Sequence, residues 1–147
     1  MFEIEMVDSC YKYLCQKSDI YTSIAREVPF LSRCIDLVLL TKTQEAIAIE
    51  FKIKNWRKAI EQAKNHMLGA DKVYICLPHR VPSESLINEL LSERIGLFLY
   101  YPNKTLVMDE YLSAPINERK VNLFGNMLLN NINSIIKNAV NSQLSDH

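Results

Sequence analysis

Asp36, Glu50 and Lys52 are charged residues inside two runs that otherwise read as central β-strands, Cys34 to Leu40 and Ala46 to Ile53. Charged groups are rarely buried unless they are paired or bound to a cation, so their presence there needs a reason. Side chains alternate between faces along a strand. In the second run Ile47, Ile49, Phe51 and Ile53 share one face, and Ala46, Ala48, Glu50 and Lys52 share the other. In the first run Ile35, Leu37 and Leu39 oppose Cys34, Asp36, Val38 and Leu40. The polar stretch Thr41 to Glu45 is an acceptable hairpin loop. Centring the turn on Thr43 pairs Leu40 with Ala46 and sets Asp36 opposite Glu50, with Cβ atoms about 5 Å apart. Lys52 then lies on the diagonal, about 7 Å from Asp36.

Two carboxylates at that separation repel, and one is forced toward its protonated form unless a cation intervenes. A hard divalent ion answers this. Mg²⁺ takes oxygen ligands, typically one or two carboxylates with water and substrate phosphate, and Mn²⁺ is a ready substitute. A lysine beside such a pair can orient an attacking water or stabilise charge growing on a phosphate. The three residues together point to metal-assisted cleavage of phosphodiester bonds. A buried ion-pair cluster with no catalytic role is the competing explanation.

The elements that must position these residues follow from periodicity. Ile4, Val7, Tyr11 and Leu14 recur at helical spacing and predict a helix over about residues 3 to 16. Strands are predicted at Thr22 to Val28, closed by Pro29, and at the two runs above. A helix from about Arg57 to Leu68 follows, with Asn55 as N-cap, Gly69 as its stop, and Trp56, Ala59, Ile60, Ala63 and Met67 as its buried stripe. Lys72 to Leu77 predicts a strand ended by Pro78, Ser83 to Glu93 a helix, Gly96 to Tyr101 a strand, and Thr105 to Met108 a short edge strand. Helical pattern resumes after Pro115 and runs to about Val140, with an apolar stripe of Leu128, Ile132, Ile135 and Val140. That last helix either caps the sheet or pairs with a second copy or a partner protein. The predicted fold class is α/β, with helices on both faces of a mixed central sheet. The first three strands form a meander, and a right-handed crossover through the helix from Arg57 leads to a parallel strand.

Asp36, then Glu50-Phe51-Lys52, then a helix bearing Gln62, resembles the PD-(D/E)XK nuclease superfamily. The resemblance spans about Ala25 to Leu77, with looser agreement in topology to Tyr101. It implies a restriction-endonuclease-like core, α-β-β-β-α-β-α-β. It also implies Mg²⁺ held by Asp36 and Glu50, and a water assisted by Lys52. Gln62 matches a Gln that some branches, the RecB-like nucleases among them, carry on the next helix. His66 stands where those branches have Tyr, and Ile35 stands where the namesake motif has Pro. Members often add an acid from the N-terminal helix or first strand. Glu27 is the first candidate, since a register pairing it with Asp36 would bring it to the site. Glu3 and Glu5 follow, more in keeping with a solvated helix end. His66 reads first as a surface residue and second as a phosphate contact or base. Trp56 and Tyr74 read as core. Arg33 and Arg57 flank the site, as phosphate contacts or solvated charges.

The 147 residues suit a single domain, with a core over about 3 to 110 and a helical segment over about 115 to 142. The formal net charge of zero argues against a general nucleic-acid coat protein, which would be basic throughout, yet Lys52, Lys54, Arg57, Lys58 and Lys64 are joined by only one acid, Glu61. No apolar run reaches the roughly 20 residues of a membrane span. The acidic N-terminus does not look like a signal peptide, so a cytoplasmic protein without a membrane partner is expected. Cys10, Cys15, Cys34 and Cys76 form no CxxC pair and are expected as buried, reduced thiols. The function expected is a Mg²⁺-dependent nuclease acting on DNA, less readily on RNA, in restriction, repair or a mobile element. The alternatives are a nuclease-fold DNA-binding or regulatory module that does not cut, and an interaction protein using its C-terminal helix.

Overall fold

The computed structural model describes residues 1–17 and 19–145. Its frame is one six-stranded sheet in the order β1-β2-β3-β4-β5-β6, which is also chain order. The strands are β1 (Tyr21–Phe30), β2 (Arg33–Thr41), β3 (Ala46–Phe51), β4 (Lys72–Pro78), β5 (Gly96–Tyr100) and β6 (Met108–Leu112). The first three form an antiparallel meander. β3, β4 and β5 run parallel, and β6 returns antiparallel. Among the described residues there are also four α-helices: α1 (Glu3–Cys15), α2 (Trp56–Lys64), α3 (Glu84–Glu93) and α4 (Asn122–Ser145). The mixed α/β architecture expected from the sequence is therefore the one observed.

The alternation of β2 and β3 divides the interior into two clusters. Leu37, Leu39, Ile49 and Phe51 face α1, which buries Met6, Val7, Cys10 and Leu14 against them. Val38, Ala46 and Ala48 face the other side, where α2, α3 and α4 contribute Ala59, Ile60, Leu86, Leu90, Leu128 and Ile132. α4 thus covers the sheet, and its Phe124 ring meets Phe30 of β1 edge-on. Ile4 is 64% exposed, because the centre of the buried stripe Met6, Val7, Cys10 and Leu14 lies roughly 100° around the helix from it. Val140 at the far end of α4 is also exposed.

Several boundaries differ from expectation for physical reasons. Pro29 does not close β1 but lies inside it, paired with Cys34. β1 is an edge strand, and the Pro29 carbonyl accepts a hydrogen bond from Asn131 of α4 at 2.7 Å. In an antiparallel strand a residue's N–H and C=O point to the same side. The proline nitrogen therefore faces away from β2, and no ladder bond is lost. The strand Ala46 to Ile53 ends at Phe51, although the Lys52 N–H still reaches the Cys76 carbonyl of β4 at 3.1 Å. α2 opens at Asn55, whose side chain accepts from the Lys58 N–H, and gives way at Asn65–Leu68 to a 3₁₀ turn. Gly69 ends that turn at φ −126°, so its need is space and not left-handed backbone: an added Cβ would lie 2.6 Å from Phe30 Cζ.

The last edge strand is Met108–Leu112 instead of Thr105 to Met108. The chain from Pro115 to Val121 is not helical. It is pinned by Asn117, whose amide donates to the carbonyls of Met67 and Ala70, and by Lys120, which pairs with Asp71 at 2.9 Å. Two of the four thiols, Cys15 and Cys34, are exposed, because they sit at the end of α1 and at the start of β2. No described helix is long and apolar enough to cross a membrane.

Candidate active site

The hairpin register is the one the sequence predicts. Leu40 pairs with Ala46 and Leu37 with Ile49, so the next step along the ladder sets Asp36 across from Glu50. Both project toward an open hollow of about 350 Å³ at the end of β3, lined also by Glu3, Arg33, Lys52, Gln62 and His66. Four residues expected at the site, Asp36, Glu50, Lys52 and Gln62, thus share one hollow. Backbone geometry fixes the acids. Phe51 N–H donates to Asp36 Oδ2 at 2.9 Å, tying β2 to β3 just below the hollow. Glu50 is 5% exposed and its Oε1 lies 2.6 Å from Nε2 of His66.

The electrostatics follow from burial and crowding. Burial, and then the adjacent charge of Glu50, raise the Asp36 carboxyl from its ordinary 3.8 to about 7. Burial raises Glu50 as well, opposed by its hydrogen bonding with Asp36. Lys52, which could offset these charges, is drawn toward α1: its Nζ lies 3.8 Å from Oε1 of Glu3, which also accepts from the Ile53 N–H at 3.3 Å. Two facing carboxylates that resist joint ionisation make a donor set suited to a hard cation. Among the described residues no three His, Cys, Asp or Glu side chains come together as a protein-only metal cage. Two carboxylates in an open, polar hollow instead match an ion that keeps much of its water, as Mg²⁺ does.

Glu27 does not line this hollow. Its neighbours pair Arg26 with Leu37 and Val28 with Ile35, which sets it opposite Asp36 as expected. However, it adopts φ 50° and is exposed, beside a smaller hollow lined also by Glu3, Ile4, Val7 and Asp36. Of the three acids considered, Glu3 reaches the main hollow, while Glu5 remains an exposed helix residue. The sequence ranks Glu3 below Glu27 because helix periodicity marks which residues are buried, not which helix end abuts a strand end. Arg33 lines the hollow. Arg57 does not: it lies over the Trp56 ring at 4.2 Å and reaches Ser85. Tyr74 is core, its hydroxyl donating to Glu110 at 2.6 Å.

The largest correction concerns His66. It is no surface residue: it is 2% exposed, and its Nδ1 is buried without a hydrogen-bond partner among the described residues. Burial lowers its pKa from 6.5 to about 4, so the ring is neutral at physiological pH.

The sheet, its flanking helices and the hollow at the end of β3 define a nuclease-like fold. Three solved structures share it. A protein of unknown function, SPO1766 from Silicibacter pomeroyi, superposes with a TM-score of 0.60 at 15% identity, over 82% of this chain and 77% of that one. A repair endonuclease from Pyrococcus abyssi gives 0.51 at 17% identity, over 78% of this chain and 48% of that one. EndoMS, in a complex with double-stranded DNA, gives 0.50 at 17% identity, over 69% and 45%. The chain therefore spans just under half the length of each of those last two proteins. At these identities the likeness is one of fold. No protein-family model matches the sequence, and no curated protein matches it.

Proposed function

We propose that this protein is a metal-dependent phosphodiesterase acting on nucleic acid, DNA before RNA. The observation that carries the reading is the pair Asp36 and Glu50, facing each other across adjacent central strands in one hollow with Lys52 and Gln62. Its fold is shared with a repair endonuclease and with EndoMS, which was solved on double-stranded DNA, and this favours DNA as the substrate. Asp36 and Glu50 would hold Mg²⁺, with Mn²⁺ as a substitute. Such an ion supplies Lewis-acid polarisation of the phosphate and a more acidic bound water.

The chain's own residues do the rest. The Phe51 N–H fixes the orientation of the Asp36 carboxylate. Lys52, tethered by its backbone to β4, lines the hollow with its ammonium 3.8 Å from Glu3, where it can hold a water or meet charge developing on the phosphate. Gln62 offers an amide from the last turn of α2 to orient water or a phosphate oxygen. Arg33, exposed at the rim, meets the approaching backbone.

The test is cleavage of duplex, single-stranded, flapped and branched DNAs, with RNA counterparts, in Mg²⁺ or Mn²⁺ and in EDTA. Metal-dependent cutting that Asp36→Asn abolishes is the expected result. Binding without cutting under every metal condition would replace it with a non-cleaving nuclease-fold module.

A further inference from the structure

His66 is expensive where it stands. A buried polar atom without a partner costs free energy, and Nδ1 is such an atom. The ring lines the floor of the hollow, and Met67 beside it and Ala63 before it in the chain are both buried. The backbone that carries the ring is held firmly. The His66 carbonyl accepts from the N–H groups of Gly69 and Ala70, at 3.1 and 2.9 Å. The next carbonyl, of Met67, is taken by the Asn117 amide. The imidazole is thus delivered to a fixed point, and among the described residues its hydrogen-bonding partner is Oε1 of Glu50, 2.6 Å away.

The 2.6 Å contact sets the imidazole and the carboxylate edge to edge. With Glu50 as a carboxylate, Nε2–H donates to Oε1 whichever charge the ring carries. A carboxylate with one oxygen engaged in this way meets a cation through the other. That distinction matters between hard ions. Ca²⁺ gathers six to eight oxygens and often takes carboxylates bidentately, whereas Mg²⁺ demands octahedral geometry and few protein ligands.

We propose that His66 is a positioning residue: its Nε2–H holds Oε1 of Glu50, leaves Oε2 alone facing the hollow, and so selects a small octahedral cation, Mg²⁺ or Mn²⁺, over Ca²⁺. This rests on the assignment of Asp36 and Glu50 as metal ligands. Partners that orient a ligand from behind typically affect metal affinity by about 10- to 100-fold.

The experiment is calorimetric titration of the purified protein with MgCl₂, MnCl₂ and CaCl₂ separately, without nucleic acid. It compares wild type, His66→Phe, His66→Gln and Asp36→Asn. The wild type should bind Mg²⁺ and Mn²⁺ more tightly than Ca²⁺. His66→Phe should weaken Mg²⁺ and Mn²⁺ by about 10- to 100-fold and narrow the preference over Ca²⁺, since Oε1 becomes available. His66→Gln keeps an N–H donor near the position of Nε2 and should restore the wild-type preference. A wild type that binds no divalent ion, or an Asp36→Asn variant that binds as well as wild type, defeats the metal assignment itself. Wild-type binding with an unchanged Mg²⁺ to Ca²⁺ ratio in His66→Phe overturns the role of His66 alone, even if all three affinities fall together. Should His66→Phe fail to fold, His66→Gln decides: a folded Gln variant without the wild-type preference overturns the proposal.

Discussion

Asp36→Asn should stabilise the metal-free protein at alkaline pH. The folded state holds the Asp36 carboxyl at about 7, against an ordinary 3.8, because it is buried and faces Glu50. A carboxyl raised in this way favours the fold while protonated. Its contribution is intact below about pH 4 and is lost as pH rises toward 7. A shift of about three pK units corresponds to a ceiling of about 4 kcal/mol. Sharing of the effect with Glu50, and residual solvent access, reduce this to about 2 kcal/mol. The asparagine does not titrate. Its carbonyl can still accept from the Phe51 N–H, and its NH₂ turns a repulsive contact with Glu50 into a donor. For a chain of this length, about 2 kcal/mol is about 4–8 °C in Tm. Thermal melts in EDTA should therefore show wild type losing stability from pH 5 to pH 8.5, with the variant ahead by that margin at pH 8.5. Added Mg²⁺ should raise the wild type and leave the variant where it was, because an ion that binds only the folded state stabilises it. A variant less stable than wild type in EDTA at pH 8.5 would refute the account of Asp36 as a strained acid awaiting a cation.

Lys52→Met should lower single-turnover cleavage by about a hundredfold while DNA affinity stays within a few-fold, since its charge acts on the transition state. Because its contact with Glu3 is long and partly exposed, metal-free stability should change by less than about 1 kcal/mol; retained cleavage with lost stability would make Lys52 a structural partner only. Gln62→Ala should slow cleavage with little change in melting temperature, and unchanged cleavage would remove Gln62 from the site. Asn117→Ala strips two buried carbonyls of their donor and should cost about 2–3 kcal/mol in urea unfolding, with metal affinity lowered through the loosened turn that carries His66.

The acids were legible in the sequence because a charge inside an apolar strand run breaks a strong pattern, and because one hairpin turn determines the register of everything beyond it. Asp36, Glu50, Lys52 and Gln62 fall within 27 residues of chain, so few alternative topologies could separate them. His66 was hidden for the opposite reason. A single histidine on a helix breaks no pattern, and the change from α to 3₁₀ winding at Asn65 alters which face the ring takes. Glu3 comes from a distant segment whose approach to Ile53 depends on how α1 docks, which periodicity does not specify. Edge strand β6 is hard to place from sequence because Asp109, Glu110 and Tyr111 are half-buried or exposed, so the alternation that marks central strands is weak there. The start of α4 is not legible in the sequence because the loop before it is held by side-chain bonds from Asn117 and Lys120, not by turn chemistry readable from residue types.

Pro29 bears on how this protein meets copies of itself. An open sheet offers its outermost strands as templates on which a further strand can grow, the first step of edge-to-edge polymerisation. On the β1 side, the outward nitrogen of Pro29 has no hydrogen to give, and its outward oxygen is already taken by Asn131. On the opposite rim, β6 is five residues long and carries Asp109 and Glu110, whose charges would face the same charges on an identical neighbour. Both rims of the sheet are thus poor templates. Association of this chain with another copy is steered away from shared backbone ladders and toward side-chain surfaces, which leaves the order of the six strands, and with it the register that brings Asp36 to Glu50, protected from invasion.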